Sequence, residues 1–494
     1  MAPRVCGPRP SFVWVRSAPG GRCRAARISA SFGPVNAESR AVAVQVLRLA
    51  GPAIATSLLG TLVFLADRVM LARHGQDSLA SMQVQGPLMW SIASVFMGLC
   101  VGTVALVARA TGAGDRGRVR ATARAALRLA LLLGVLVAIG GLCLLDVIVD
   151  GLGPDAAHLR DLSRGYLRIG IAMLPAEFVA TTAAMILHGH GDTRTPLLVG
   201  IVGNVVNVLV NAACIFGVRI GPLTIPELGV QGAAIGTAIA FVLQAVLLVA
   251  WLARHDHPAS VRRLFRRAPL AGVRDDAEAL ARLVRLGAPG ILERLVVHAG
   301  FLAFVKVMTS LGELEIAANQ ALITIESICF LGADGFGVAA ATVMGQRLGA
   351  DDPIAARRGG LIATGLAVST ISAIGMGLWL CGPVLLPIFG DAERGPALVA
   401  EGLRTMPLLA LAAPFMTAAI VVAQALRGAG DTRSPVLAAL VGCLVVRVGL
   451  ASWLALELEL GLPGAWWAST ADWIVRTLLL GAVFLRGRWA RLQI

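Results

Sequence analysis

The segment Gly191-Asp192-Thr193-Arg194-Thr195-Pro196 returns as Gly430-Asp431-Thr432-Arg433-Ser434-Pro435, 239 positions later. Pro52 and Pro289, Gly75 and Gly312, Gln83 and Gln320, Gly112 and Gly349, and Asp115 and Asp352 each lie 237 positions apart, and Pro175 and Pro414 share the later spacing of 239. One two-residue slip accounts for the whole ordered series, so the chain is an internal duplication. The period is far too long for a solenoid unit. It has the size of one half of a duplicated membrane bundle.

With 57% hydrophobic and 15% charged residues over 494 positions, and a mean hydropathy of +0.78, the chain is more apolar than a soluble protein, in which about a quarter of residues are charged. Lipid cannot satisfy a backbone N–H or C=O, so a spanning segment bonds to itself as a helix or closes into a barrel. Apolar runs of helical spanning length recur between short polar breaks. The predicted spans are 48–72, 82–108, 122–149, 165–187, 196–216 and 231–253, then 286–310, 317–345, 360–389, 400–425, 435–456 and 464–485. The expected fold is therefore all-α and polytopic, with twelve transmembrane helices in two six-helix lobes.

The net charge of +14 is used only after asking where it lies. Arginines gather in alternate loops: Arg109, Arg116, Arg118 and Arg120 after the second span; Arg262, Arg263, Arg266 and Arg267 between the halves; then Arg347, Arg357, Arg358, Arg427, Arg433, Arg486, Arg488 and Arg491. The remaining loops carry roughly a third as many, which places both termini and the central linker in the cytoplasm. Six spans per half then give both halves the same orientation, related by a pseudo-two-fold axis along the membrane normal. No separate basic domain remains, so nucleic acid is not an expected partner.

The domain reading is a disordered cytoplasmic tail over 1–40, a first lobe over 41–253, a basic linker over 254–281, a second lobe over 282–486 and a short tail over 487–494. Residues 1–40 lack the apolar run of a secretory signal, and translation starting near Val35 would remove most of them. In the linker, Asp275-Asp276-Ala277-Glu278 reads as the acidic opening of an interfacial helix. Eight scattered cysteines without a Cys-x-x-Cys pair read as packing residues. Lys306 is the single lysine and follows Val305, so the chain has no Gly-Lys-Ser/Thr phosphate loop. Transport by this chain would draw on an ion gradient, without an ATPase subunit and without a cofactor.

An ionisable side chain at the bilayer centre costs about 2.5–3.5 kcal/mol even on insertion scales, so each one needs a partner, water or a proton. Asp67 sits deep in the first span and is the leading ion-coupling candidate; an ion pair with Arg68 or Arg73 is the structural alternative. Asn204, Asn207 and Asn211 fall at i, i+3 and i+7 of the fifth span, a helical stripe suited to a polar substrate or cation, with Thr237 in the next span as an addition. Interhelical hydrogen bonding is the alternative for these amides. In the second half Glu326 is central and is the second ion-coupling candidate, while Glu293 is a substrate or cation candidate near a span end. Asp472 and Arg476, at i and i+4, can neutralise each other. No His, Cys, Asp or Glu group has metal-site spacing, so no metal is expected.

The repeated turn reads as structural and gating. Gly191 and Gly430 permit a tight reversal, Asp192, Thr193, Asp431 and Thr432 can cap open backbone groups, Arg194 and Arg433 mark the cytoplasmic face, and Pro196 and Pro435 preset the next helix.

Taken together these residues resemble the multidrug and toxic compound extrusion (MATE) family, and most its DinF-like branch, over about residues 42–486. The carriers are Pro52 through Asp67-Arg68-Val69-Met70, the two Gly-Asp-Thr-Arg turns, Ala317-Ala318-Asn319-Gln320, Gly335-Phe336-Gly337 through Gly345-Gln346-Arg347-Leu348-Gly349, and Gly464-Ala465-Trp466-Trp467 with Asp472 and Arg476. The resemblance implies a V of two lobes around a central cavity that exports amphipathic, often cationic compounds in exchange for H⁺ or Na⁺; the expected place is the cell membrane, and the oligomeric state stays open, with a monomer expected. It assigns Asp67 to the family's first-helix aspartate, Asn207 and Asn211 to polar positions of the fifth helix, and Thr237 to one of the sixth. Relatives with aspartate at the place of Asn211 would hold Na⁺ more tightly. The family's seventh-helix glutamate falls nearer Val297 than Glu293. The competing reading is a flippase for a lipid-linked saccharide or peptidoglycan precursor, which would place several cationic side chains in the cavity, whereas the arginines here are expected mainly in loops.

Overall fold

Because lipid leaves the backbone no other partner, long helices dominate the computed structural model of the chain. It describes residues 12–15, 24–27, 37–152, 156–220, 223–254, 257–261, 270–390 and 395–492. Two units separate, Met1–Val42 and Ala43–Ile494. In the first, β1 (Phe12–Val15) and β2 (Arg24–Arg27) pair antiparallel. Most of the tail expected to be disordered lies outside the described residues, as do Arg262, Arg263, Arg266 and Arg267 of the linker.

The first half contains α1 (Ala37–His74), α2 (Gln76–Gly112) and α3 (Arg116–Cys143). Its fourth span, α4, is bent by 47° between Ala157–Ala172 and Leu174–His190. Pro175 follows the break, where its missing N–H and ring interrupt the helical ladder. Then come α5 (Arg194–Phe216), a hairpin of β3 (Val218–Ile220) and β4 (Leu223–Ile225), and α6 (Gly229–Leu252).

The second half runs through α7 (Leu270–Thr309), α8 (Glu313–Gly349), α9 (Pro353–Leu380), α10 (Gly395–Gly428), α11 (Arg433–Glu457) and α12 (Gly461–Arg486). Among the described residues ten of these helices are long and apolar enough to span a membrane, and the bent α4 makes eleven. The remaining long helix, α7, carries Glu293, Arg294 and His298 within its length. The expected interfacial helix at Asp275–Glu278 is not separate: α7 runs continuously from Leu270 through Pro289. Asp276 there is buried and takes Arg124 Nη2 at 2.8 Å and Arg128 Nη1 at 2.7 Å, fastening the start of α7 to α3.

The duplication is visible as reciprocal contacts between the halves. A methyl group built on Gly112 would stand 1.9 Å from the Gln346 carbonyl oxygen, and one on Gly349 2.0 Å from that of Arg109. Each of these residues is the 237-position counterpart of the other contact's member. The same exchange relates a methyl built on Gly98, 2.9 Å from the Ile291 nitrogen, to one built on Gly335, 2.8 Å from the Ile54 nitrogen. Glycine lets backbones meet where any side chain would hold them apart. The α2–α8 contacts bring the lobes together at the C-terminal ends of these two helices.

Both turns have one geometry. Gly191 and Gly430 have φ of 95° and 94°, a region that only glycine enters cheaply. Asp192 Oδ1 accepts from the Arg194 and Thr195 backbone N–H groups at 3.1 and 3.0 Å, and Oδ2 from Thr195 Oγ1 at 2.6 Å. Asp431 repeats this with Arg433, Ser434 and Ser434 Oγ at 3.3, 3.0 and 2.6 Å. Each aspartate thus caps the orphan N–H groups that open the following helix.

Candidate functional site

Asp67 lies about four-fifths of the way along α1, and its side chain reaches α5. Asn211 Nδ2 donates to Asp67 Oδ1 at 2.7 Å, and Asn207, one turn earlier, donates to Thr237 Oγ1 of α6 at 3.1 Å. Turning the Asn207 amide over puts its Nδ2 3.2 Å from the same Asp67 oxygen and lets Thr237 donate to its Oδ1 at 3.1 Å. The second orientation sets two amide donors on one carboxylate oxygen. Both asparagines are buried, Asn211 completely.

No ion pair reaches Asp67 among the described residues; Arg68 stacks on the Phe64 ring at 4.4 Å instead. Asn204 stays out of the group, half-buried and, among the described residues, without a hydrogen bond, because seven residues of rise set it roughly 10 Å along the axis from Asn211. The closeness of α5 and α6 rests on glycine. A methyl on Gly236 would lie 1.9 Å from Asn211 Oδ1, and one on Gly232 2.6 Å from the Cys214 carbonyl.

The second lobe answers differently at the equivalent place. Phe304, the counterpart of Asp67, packs with its ring 5.8 Å from the Arg447 guanidinium. Asp472 is fully buried and holds Arg476 at 2.5 and 2.9 Å and Arg447 at 2.9 Å. In this triad the single carboxylate is shared by two guanidinium groups, leaving a net positive charge. Gly442, against which Asp472 and Arg476 press, lies in a π-helical stretch of α11, Leu440–Arg447, whose extra residue per turn opens the helix beside them. Glu326 on α8 joins neither group and has no hydrogen bond or ion pair among the described residues.

Between the lobes is a cavity of about 290 Å³ reached by α1, α2, α4, α5, α6, α7, α8 and α10. Thr181, Ala184, Met185 and His188 present one stripe of α4 to it. Glu177 falls one turn before Thr181 on that stripe and has no hydrogen bond or ion pair among the described residues. The rule that singled out Asp67 applies equally to Glu177, an acid inside a predicted span that sequence reasoning passed over.

Glu293, the substrate or cation candidate of this half, is paired with Arg427 of α10, and both side chains are nearly buried. Arg427, counted from sequence among the loop arginines, and Arg294 both line the cavity. The Arg427 side chain reaches from α10 to Glu293 of α7, a neighbourhood that hydropathy does not register.

A family model described as MatE matches residues 52–213 and again 289–453, starting at the paired prolines 52 and 289. The chain belongs to the MATE family. It is similar to the probable multidrug resistance protein NorM of Deinococcus radiodurans, 32% identical over 457 residues, covering 89% of this chain and 94% of the relative. It is similar too to the protein of the same name from Thermotoga maritima, 26% identical over 450 residues, covering 90% and 93%. A MATE crystal structure in complex with MaL6 superposes with a TM-score of 0.80 at 23% identity, covering 90% of this chain and 96% of that one. An outward-facing multidrug resistance MATE transporter of the MOP superfamily gives 0.79 at 24%, covering 90% and 95%. These two structures share the fold. As a MATE protein the chain is a multi-pass membrane transporter and not an enzyme. The DinF-like placement rests on its motifs alone, since these relatives carry the name NorM.

Proposed function

We propose that this MATE protein is a multidrug exporter of the cell membrane that exchanges amphipathic compounds for H⁺, with Asp67 as the coupling acid. The observation that carries the reading is the asymmetry between the lobes. The second lobe sets two arginines on its buried aspartate, whereas Asp67, among the described residues, meets neutral amides and no cation. A lone carboxylate held by amide donors can gain or lose one proton without leaving a stranded counter-charge. The names of the relatives support the substrate class, and the arginine distribution supports cytoplasmic termini.

A ligand shifts a two-state transporter only through its different affinity for the two states. Protonation of Asp67 from outside abolishes its charge and weakens the amide clamp joining α1 to α5, so the first lobe rearranges and releases the drug. Deprotonation toward the cytoplasm restores the clamp. Asn207, Asn211 and Thr237 position the acid, and no cofactor or separate ATPase takes part. Monomers suffice, because the cavity is built from one chain.

The test is ethidium flux in proteoliposomes under an imposed pH gradient, with a Na⁺ gradient as the second arm. Asp67→Asn is expected to abolish gradient-driven export while keeping the protein folded. Export by the variant at the wild-type rate would remove Asp67 from the mechanism, and flux driven by Na⁺ alone would change the coupling ion.

A further inference from the structure

His74 closes α1 at the end that the arginine count places outside, and its ring is held on both sides. Nε2 lies 3.0 Å from Glu227 Oε1, just before α6, and Nδ1 lies 2.7 Å from Ser78 Oγ on α2. A carboxylate only accepts, so the neutral ring keeps its proton on Nε2 and leaves Nδ1 to accept from the Ser78 hydroxyl. The other charged groups at this mouth are Arg73 beside His74 and Asp77 of α2, which pairs with His158 of α4 at 3.5 Å. Glu227 and Asp77 are both exposed, so protons from the surrounding water gather there.

His74 and Asp67 stand two turns apart on one face of α1, about 10 Å along its axis. The straight line between them is dry, because Leu71 on the same face is fully buried against Met82, Ile215 and Val230. A polar route runs beside it. Ser78, Ser81 and Gln85 fall at i, i+3 and i+7 of α2 and are 4%, 0% and 0% exposed. Ser81 Oγ donates to the Ser78 carbonyl at 2.8 Å, Gln85 Nε2 to the Ser81 carbonyl at 2.7 Å, and Ser163 Oγ of α4 to that same carbonyl at 3.4 Å. Tyr166, one turn beyond Ser163, packs against the Leu71 cluster and lies within the field of Asp67. The Ser81 and Gln85 bonds end on the backbone of α2 itself and join no helices. Gln85 Oε1 is buried and has no donor among the described residues. A buried acceptor left open is costly unless water reaches it, so the stripe suits a thread of water leading inward from His74.

We propose that His74 takes up protons at the outer face and passes them along the stripe of Ser78, Ser81 and Gln85 to Asp67. An external proton joins Nδ1, and Ser78 Oγ turns from donor to acceptor. The imidazolium then releases that proton through water along the stripe to Asp67 Oδ2, the oxygen that no amide holds among the described residues. The ring returns to neutral with Nε2–H still on Glu227. The proposal rests on the reading of Asp67 as the coupling acid and adds the entry by which that acid is loaded.

The test follows the infrared carboxyl band of Asp67, identified by its loss in Asp67→Asn, after a rapid drop in external pH on the full chain in proteoliposomes. His74→Gln can still bond Glu227 and Ser78, and is expected to slow protonation of Asp67 about 10-fold. That falls short of the roughly 100-fold of a positioned proton-transfer group, because exposed Glu227 still feeds the mouth. Added imidazole is expected to restore the rate in His74→Gln, a rescue that a merely structural histidine would not show. Gln85→Leu is expected to slow protonation as much, without rescue by imidazole. Protonation at the wild-type rate in His74→Gln, or a slowing there that imidazole does not relieve, would overturn the proposal. Should His74→Gln not fold, Ser78→Ala and Gln85→Leu decide: slowing in both upholds the route, and a wild-type rate in either overturns it. Ethidium flux under the same pH drop separates this entry from the coupling reading. Protonation of Asp67 that depends on His74 but drives no dye leaves the entry standing and ends the coupling reading; a band that never appears ends both.

Discussion

Replacing Gly236 with alanine probes how closely the Asp67 clamp is built. The new methyl would stand 1.9 Å from Asn211 Oδ1 and 3.0 Å from the Asn211 nitrogen. Reaching ordinary contact requires a shift of roughly 1.5 Å, enough to break the 2.7 Å bond from Asn211 to Asp67. A hydrogen bond to a charged acceptor is worth about 1.5–3 kcal/mol, so affinity for the bound state governed by this clamp falls roughly 10- to 150-fold. Overpacking the α5–α6 seam adds about 1–3 kcal/mol of destabilisation. The assay is paired: SDS-induced unfolding in detergent for stability, and dye flux in proteoliposomes for transport. Gly60→Ala and Gly449→Ala are the controls, because a methyl at either meets nothing within 4 Å. The double variant Gly236→Ala/Asn211→Ala removes the crowding amide and is expected to regain stability but not transport. Wild-type stability and flux in Gly236→Ala would refute the close-packed clamp.

The pair of Glu293 and Arg427 permits a similar cycle. Arg427→Gln strands a nearly buried carboxylate and is expected to cost about 3 kcal/mol, the lower end for breaking such a pair because both side chains retain some exposure. Glu293→Gln/Arg427→Gln should be milder than Arg427→Gln alone, and additive losses in SDS unfolding would show that the two do not interact. In the linker, His257 is pushed below the usual histidine range, first by burial and then by the nearby His190, and its Nδ1 accepts from the Ala259 N–H at 3.1 Å. A depressed value in the folded state means that the unfolded chain binds the proton more readily, so this contribution to stability is present above about pH 6.5 and lost on acidification. His257→Gln is expected to flatten the stability curve below about pH 6.5, and an unchanged slope would exclude His257 as its source.

Much of the architecture was legible because it repeats. Paired prolines, glycines and aspartates at a constant offset announce two equivalent halves before any helix is placed, and each repeated Gly-Asp-Thr-Arg turn encodes its own cap in adjacent residues. Local chemistry of this kind needs no tertiary information. Asp67, Asn207, Asn211 and Thr237 were visible as polar residues in apolar spans, and their meeting follows from α1, α5 and α6 converging. Asn204 shows the limit: a shared helical face does not mean a shared height.

Charge pairing was the least legible part. Arg427 sits near the end of its helix and reads as a loop arginine, yet α7 and α10 bring it onto Glu293. Arg294 follows Glu293 directly, and its neighbour invites a pairing that the helix geometry does not make, since successive side chains diverge by about 100°. Glu177 was within reach of the same reasoning as Asp67 and needed only to be asked about.

The sequence by itself determined an all-helical membrane chain of two like halves, because hydropathy and internal repetition are properties of order along the chain and survive without coordinates. Only the tertiary structure decided which charges are satisfied and which remain open. Whether a carboxylate meets an amide, as Asp67 does, or two guanidinium groups, as Asp472 does, depends on distances of a few ångströms between helices far apart in sequence. At that range the low dielectric of the membrane interior makes the presence or absence of one partner decisive.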